Sequence, residues 1–487
     1  MRSLCFQPAY RLMEALNLGQ VTSVELLDAH LRRFRAVNRT INAVIKTDIE
    51  RARERANALD RMRQDGRILG PLHGLPMTIK DTLDVDSMPA TAGAPQWSKR
   101  KKPVHDAEVV ARARAAGAVI WGKTNAPYMA SDWQSYNKLF GQSSNPYDPS
   151  RTPGGSSGGA AAALASGITP LEIGSDIGGS LRIPAHFCGI ASLKPTYGVI
   201  PQRGHVPPAP EYRGQVDLNV VGPMARTVQD LKLLRGVIMQ GAVGSRSSRR
   251  LNLEGMRIAV WSDFDTWPLD KDSADIITEA VNELPSLGAD MTMAKPDIDP
   301  VELLDVYLSL LVPIVMMDTP VARRRFLTAF RPWFQLLQTF ERTPFTQHNW
   351  AIKSTQSHIS WLKVDGRRAA LKALMRDFFQ AYDALIMPVS PTPAFPHDTS
   401  GNVLTRKLKI NGNSIPYASN LSWISLATTC HLPAVTIPCG WTEDRMPIGL
   451  QIVGAQGEDA RVLDIAEACE GIFGGYRMPP SELGLQL

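Results

Sequence analysis

The chain has 487 residues, 44% hydrophobic and 21% charged, a composition that excludes a disordered or fibrous protein and fits a soluble globular one. Its net charge of +6 comes from 53 basic and 47 acidic residues, too mild a surplus on so large a surface to imply a nucleic-acid partner. Five cysteines without a C-x-x-C pair and nine histidines without close ligand spacing exclude a disulfide framework and a structural zinc site, so reduced thiols in the cytoplasm, with no metal and no cofactor, are expected.

In chain order, "MRSLCFQPAY" lacks the long apolar segment and small-residue cleavage site of a signal peptide. Thr22 and Glu25 stand at capping-box spacing, and Val24, Leu27, Leu31 and Phe34 then recur at helical intervals. A charged helix over 48–64 follows, then the turn-rich "GPLHGLP" and a short apolar strand into "MTIKDT". Residues 106–117 read as a helix closed by Gly117, and "AVIW" as a buried strand with a turn leaving it. An Ala-rich helix (158–166), a strand (171–174), a tight Gly turn and another helix continue the alternation, which predicts an α/β fold with a central sheet covered on both sides.

Residues 241–256 read as a surface connection, and 270–382 as mainly helical. The basic clusters at 98–102, 245–250 and 322–325 carry no interleaved stacking aromatics and read as solvated faces. "VYLSLLVPIVMM" (306–317) is about two-thirds of a spanning length, contains Pro313 and follows Asp305, so a buried helix or pocket wall is expected and no membrane span. Strand patterns return at 382–391, 434–440 and 448–454. That return predicts one domain over 1–487 with a mainly helical insertion at about 245–380 that forms part of a pocket.

Two motifs compete for the chemistry. "GAVIWGKT" (117–124) matches G-x-x-x-x-G-K-[ST], but a phosphate loop needs Gly-rich backbone after a strand, and Ala118, Val119, Ile120 and Trp121 are strand residues. Gly154-Gly155-Ser156-Ser157-Gly158 matches the G-x-S-x-G nucleophile elbow, which needs a strand entering and a helix leaving. What enters is "NPYDPSRTP", whose prolines cannot belong to a central strand.

A third pattern uses more residues: Lys80 in "GLPMTIKD", Ser156-Ser157 in "TPGGSSGG", Ser180 in "GSDIGGS", and "RIPAHFCGIASLKPTYG" at 182–198. With "GKTN" at 122–125 and "PIGLQIVG" at 447–454, these run in order and resemble the amidase signature family, the Ser-cisSer-Lys amide hydrolases that include fatty acid amide hydrolase and bacterial amidases. The resemblance implies an α/β/α sandwich with a large, mixed, twisted central sheet. It further implies Ser180 as nucleophile, Ser156 as a bridging serine after a non-proline cis peptide bond, and Lys80 as terminal base. A serine hydroxyl needs a base to take its proton, and lysine serves only when neutral, which burial without a carboxylate partner favours. The adjacent Asp81 would point to the opposite face.

Ile177, Gly178 and Gly179 are the expected oxyanion hole, where backbone N–H groups would stabilise a tetrahedral intermediate. Gly154, Gly155, Ser157, Asp176 and Arg182 are expected to support the loops, and His73 to be structural. By analogy Met129, Ala130, Ser131 and Trp133 contact substrate, together with the loop at 203–215. The helical insertion is expected to add a wall that selects the leaving group, with Leu310, Leu311, Ile314, Met317 and Phe334 as candidates.

The expected activity is hydrolysis of C(O)–N bonds in small, hydrophobic amides, with carbamates (urethanes) and esters open to the same constellation, by a monomer or homodimer. The alternative within the family is a glutaminyl-tRNA amidotransferase A-type chain. That group carries Thr-Gly-Gly-Ser and Arg-Gln-Pro, where Ile177 and Ile183 stand here.

Overall fold

The computed structural model describes residues 2–100, 105–212, 214–239, 253–261 and 266–480. The basic cluster at 245–250 and most of the connection read at 241–256 lie outside the described residues.

Eleven strands form one sheet among the described residues. They are β1 (Val44–Thr47), β2 (Pro76–Lys80), β3 (Val119–Thr124), β4 (Leu171–Asp176), β5 (Ala191–Lys194), β6 (Val220–Ala225), β7 (Arg257–Val260), β8 (Asp290–Met293), β9 (Ala384–Pro388), β10 (Ala434–Trp441) and β11 (Pro447–Val453). Their order is β1-β3-β2-β4-β6-β5-β10-β11-β9-β7-β8. The β2–β3, β2–β4, β7–β8 and β7–β9 pairs are parallel and the others antiparallel, so the sheet is mixed.

Both faces are covered, as the period of two in each strand requires. On β9, Ala384 and Ile386 join one hydrophobic cluster, whereas Leu385 and Met387 join the other on the opposite face. The helix Gly158–Ala165 is buried at every position, because its Gly and Ala side chains let the backbone approach its neighbours closely. The helix Ser23–Ile41 opens with the expected capping box: Thr22 accepts from Glu25 N–H while Glu25 accepts from Thr22 N–H.

Two readings change. The strand read over "AVIW" continues to Thr124, so Gly122, Lys123 and Thr124 belong to the ladder instead of the turn leaving it. The stretch read as mainly helical begins with sheet: β7 and β8 flank the helix Lys271–Glu283 and extend the edge of the sheet. The parallel β-α-β unit hides its strands from periodicity because each is only four residues long.

From Pro300 to Ala381 the elements are helices, first α1 (Pro300–Val315), then Val321–Ala329, Arg331–Gln338, Gln347–Ser354 and His358–Ala381. Asp299 caps α1 by accepting from Val301 N–H. Leu303, Leu304, Val306, Tyr307, Leu308, Leu310 and Leu311 of α1 are buried, so the apolar run from 306 to 312 is core helix, and the helix ends at Val315. No helix of the described residues is long and apolar enough to cross a membrane.

Candidate active site

Lys80 closes β2, fully buried, and its ammonium is surrounded by hydroxyls. Its Nζ lies 2.7 Å from Ser156 Oγ and 3.0 Å from Ser175 Oγ. Burial pushes its pKa from 10.5 down to about 7, against the upward pull of Asp176 and Glu172. Glu172 is itself buried, which lifts its carboxyl to about 8 and weakens it as a counter-charge. Asp81 turns away from Lys80: its carboxylate accepts from Lys123 Nζ at 3.1 Å and from Thr91 N–H at 3.2 Å. The lysine of "GAVIWGKT" therefore sits in a buried ion pair and also donates to Leu83 O at 2.7 Å.

Ser156 follows a cis peptide bond from Gly155 and precedes the helix Gly158–Ala165, with no strand leading into it. Gly155 is required by close approach, since a Cβ there would lie 2.3 Å from Asp132 O. Ser157 ties this loop to the next: its N–H donates to Ser180 O at 3.2 Å and its Oγ to Ser175 O at 3.4 Å.

Ser180 lies in the turn between β4 and the helix Arg182–Cys188. The turn is braced by Asp176, which accepts from Gly179 N–H (2.9 Å), Leu181 N–H (3.1 Å) and the Arg182 guanidinium (3.0 and 3.1 Å). Arg182 also donates to Ile424 O (3.0 Å), Gln451 Oε1 (3.1 Å) and Thr428 Oγ1 (2.7 Å), pinning the turn to distant segments. Burial pushes the Asp176 carboxyl up, but the charge and hydrogen bonds of Arg182, the Lys194 charge and the Leu181 N–H together outweigh it and hold the net pKa below the ordinary carboxylate value.

Two adjoining pockets of about 580 and 690 Å³ meet at Ser180 and share Ala130, Ser131, Ile177 and Val315. Ser156, Ser175, Met129 and His205 line the first; Gly178, Trp133, Leu311 and Trp350 line the second. The first also takes Pro207 and Pro208 from the loop at 203–215 and Ile314 and Asp318 from the end of α1 and beyond.

Of the apolar candidates, Leu311 and Ile314 reach the pockets. Leu310 packs in the core, Met317 is exposed, and Phe334 stacks on His348. His73 is buried, accepting from Leu69 N–H at 3.1 Å, as structural residues do. Trp133 is buried too, and its indole N–H donates to Gly178 O at 2.8 Å.

Sequence reasoning passed over Ser175 and Tyr307 and held His205 only as part of the 203–215 loop expected over the pocket. Ser175 carries no signal until β4 pairs with β2, which sets it beside Lys80. His205 carries none, since it reaches the pocket only through the fold of its loop. Burial first, and then the charge of Lys80, push His205 down to about 3, which keeps a second cation away from the lysine.

A family model described as Amidase matches residues 25–463. The A chain of the glutamyl-tRNA(Gln) amidotransferase of Chloroflexus aurantiacus (strain ATCC 29366 / DSM 635 / J-10-fl) is 31% identical over 499 residues, covering 96% of either protein. A solved structure described as an amidase is 28% identical with a TM-score of 0.77, covering 96% of this chain and 99% of that one. The structure of 6-aminohexanoate cyclic dimer hydrolase complexed with substrate is 26% identical with a TM-score of 0.77, covering 99% and 100%.

Proposed function

The chain belongs to the amidase family, an amide-cleaving hydrolase by fold and sequence, and from that premise we propose that it hydrolyses small apolar amides through an acyl-enzyme on Ser180. One observation carries the reading: a buried lysine, lowered to about 7, whose Nζ donates to the hydroxyls of Ser156 and Ser175 and forms no ion pair among the described residues.

Neutral Lys80 accepts the Ser156 proton as Ser156 accepts the proton of Ser180, and the freed Ser180 oxygen attacks the substrate carbonyl. The carbonyl oxygen takes up the negative charge, and backbone N–H groups of the 177–180 turn stabilise it. Gly179, expected among the donors, has its N–H engaged by Asp176, so the donors proposed in its place are the N–H groups of Ile177, Gly178 and Ser180 itself. As the C–N bond breaks, the protons move back along the relay and Ser156 protonates the leaving amine. Water then attacks the acyl-enzyme by the same route, releasing the acid and restoring Ser180.

The leaving amine must lie where Ser156 can reach it, in the first pocket, which puts the acyl part in the second. Leu311, Trp350, Leu421 and Val315 give that second pocket an apolar wall, which favours aryl or alkyl acyl groups. Carbamates and esters pass through a similar tetrahedral intermediate and fit the same machinery.

The amidotransferase chains among its relatives support a second reading, in which glutamine is the amide and a partner receives the ammonia. Ile177 weighs against it, because its apolar side chain lines both pockets where that group carries threonine.

The test is a panel of aryl amides, aliphatic amides, carbamates, esters and glutamine on the wild type and on Ser180→Ala, Ser156→Ala and Lys80→Ala. The expected outcome is a loss of about 10³-fold or more in kcat for each variant. Amide turnover surviving in Ser180→Ala but lost in Ser156→Ala would make Ser156 the nucleophile. Ammonia release from glutamine alone, with a co-purifying partner, would establish the amidotransferase reading.

A further inference from the structure

The peptide units that would bind the oxyanion are held from behind by two side chains. Tyr307 Oη donates to Ile177 O at 2.8 Å, and Trp133 Nε1 donates to Gly178 O at 2.8 Å. In a trans peptide unit the C=O and the following N–H point in opposite directions. Holding the Ile177 carbonyl on Tyr307 therefore turns Gly178 N–H away from α1. Holding the Gly178 carbonyl on Trp133 likewise turns Gly179 N–H away from the indole, and it meets Asp176 Oδ1 at 2.9 Å.

The clamps matter because this segment cannot orient itself. Gly178 has no side chain to hold the Ile177–Gly178 plane, whereas the next plane is also held by Asp176 at Gly179 N–H. Tyr307 is well placed for such a clamp. It is fully buried on α1, lies outside the lining of either pocket, and is anchored among the core side chains of that helix. Burial also pushes its phenol well above the ordinary value, so it remains a donor at any working pH.

We propose that Tyr307 is a positioning residue for the reaction, fixing the Ile177–Gly178 peptide plane so that Gly178 N–H stays aimed at the developing oxyanion beside Ser180. Trp133 does the same for the next plane and for Asp176. The inference rests on the acyl-enzyme reading above, and it makes the helical segment after Pro300 a part of the catalytic frame.

The experiment compares wild type, Tyr307→Phe, Trp133→Phe and Ser180→Ala in the full chain, with hexanoyl p-nitroanilide as substrate and phenylboronic acid as a tetrahedral adduct former. In Tyr307→Phe, kcat should fall by about 10- to 100-fold with KM within about twofold, since a misaimed donor is lost only to the transition state. Boronate affinity should fall by a similar factor, which a merely structural role would not produce. A folded Tyr307→Phe with wild-type kcat and boronate affinity overturns the proposal. Should Tyr307→Phe not fold, Tyr307→Leu, which also removes the hydroxyl donor to Ile177 O, decides by the same two measurements. Full activity in Ser180→Ala refutes the acyl-enzyme reading itself, whereas an inactive Ser180→Ala beside an unimpaired Tyr307→Phe refutes only the clamp.

Discussion

At the scale of single residues, the lysine decides what the site can do. Two lysines of the parallel strands β2 and β3 are buried, Lys123 opposite Ile79 and Lys80 opposite Thr124, and their surroundings differ. Lys123 meets a carboxylate, Asp81, at 3.1 Å, and Lys80 meets the hydroxyls of Ser156 and Ser175. Buried without a carboxylate on its Nζ, Lys80 is pushed down to about 7. If neutral Lys80 is the base, activity rises as pH rises through about 7 and levels off above it, because the inactive form is the protonated one. A pH profile of kcat/KM on an amide substrate checks this; a rising limb near pH 10 would show a lysine in its ordinary state. The same shift bears on stability. An unfolded lysine binds its proton below 10.5 and buried Lys80 only below about 7, so lowering the pH across that window costs the folded state. The residue types Lys80, Ser156 and Ser180 were legible in the sequence, because their spacing matches a family pattern. Ser175 was not, since one more serine in a Gly-Ser-rich chain carries no signal until β2 and β4 are paired.

At the scale of elements, α1 combines three roles that its sequence does not separate. Its core face packs through Leu303, Leu308 and Leu310; Tyr307 meets the 177–178 turn; and Leu311, Ile314 and Val315 reach the pockets. The apolar run announced a buried helix or a pocket wall, and the element is both at once. Ile314, half-buried at the first pocket, is the place to alter selectivity without touching the relay. In Ile314→Trp, KM for amides with a bulky aryl amine should rise by about tenfold while small-amine amides are little affected. Steady-state kinetics on anilides and methylamides of one acid measures that ratio, and an equal effect on both would remove Ile314 from the leaving-group side. The loops at 129–133 and 203–219 supply the opposite walls, and their course follows from tertiary contacts, such as the Trp133 indole donating to Gly178 O, that no local pattern encodes.

For the whole molecule, the sheet is what brings segments a hundred residues apart to one pocket. Its parallel β3–β2–β4 stretch places Lys80 beside Ser175, and the loops leaving it carry Ser156 and Ser180. The Lys123–Asp81 pair stands inside this stretch with both side chains at most 1% exposed. Lys123→Met should therefore cost about 3–5 kcal/mol of stability, the range for leaving one buried partner unpaired. Denaturant unfolding measures it, and nucleotide binding that vanishes in this variant would revive the phosphate-loop reading of "GAVIWGKT".

The sequence by itself determined the class of fold, through alternating strand and helix patterns, and the family, through an ordered set of short motifs around Lys80, Ser156 and Ser180. The first is carried by local periodicity, and the second by the resemblance of those motifs to a family pattern. Only the tertiary structure decided that "GKT" completes a strand, that β7 and β8 extend the sheet, and that Ser175, His205 and Tyr307 belong to the site. These depend on which strands pair and which buried group meets a charge, a hydroxyl or nothing. Such partners are set by contacts across the chain, and a buried lysine reads the same in sequence whether it locks a strand or gives up its proton.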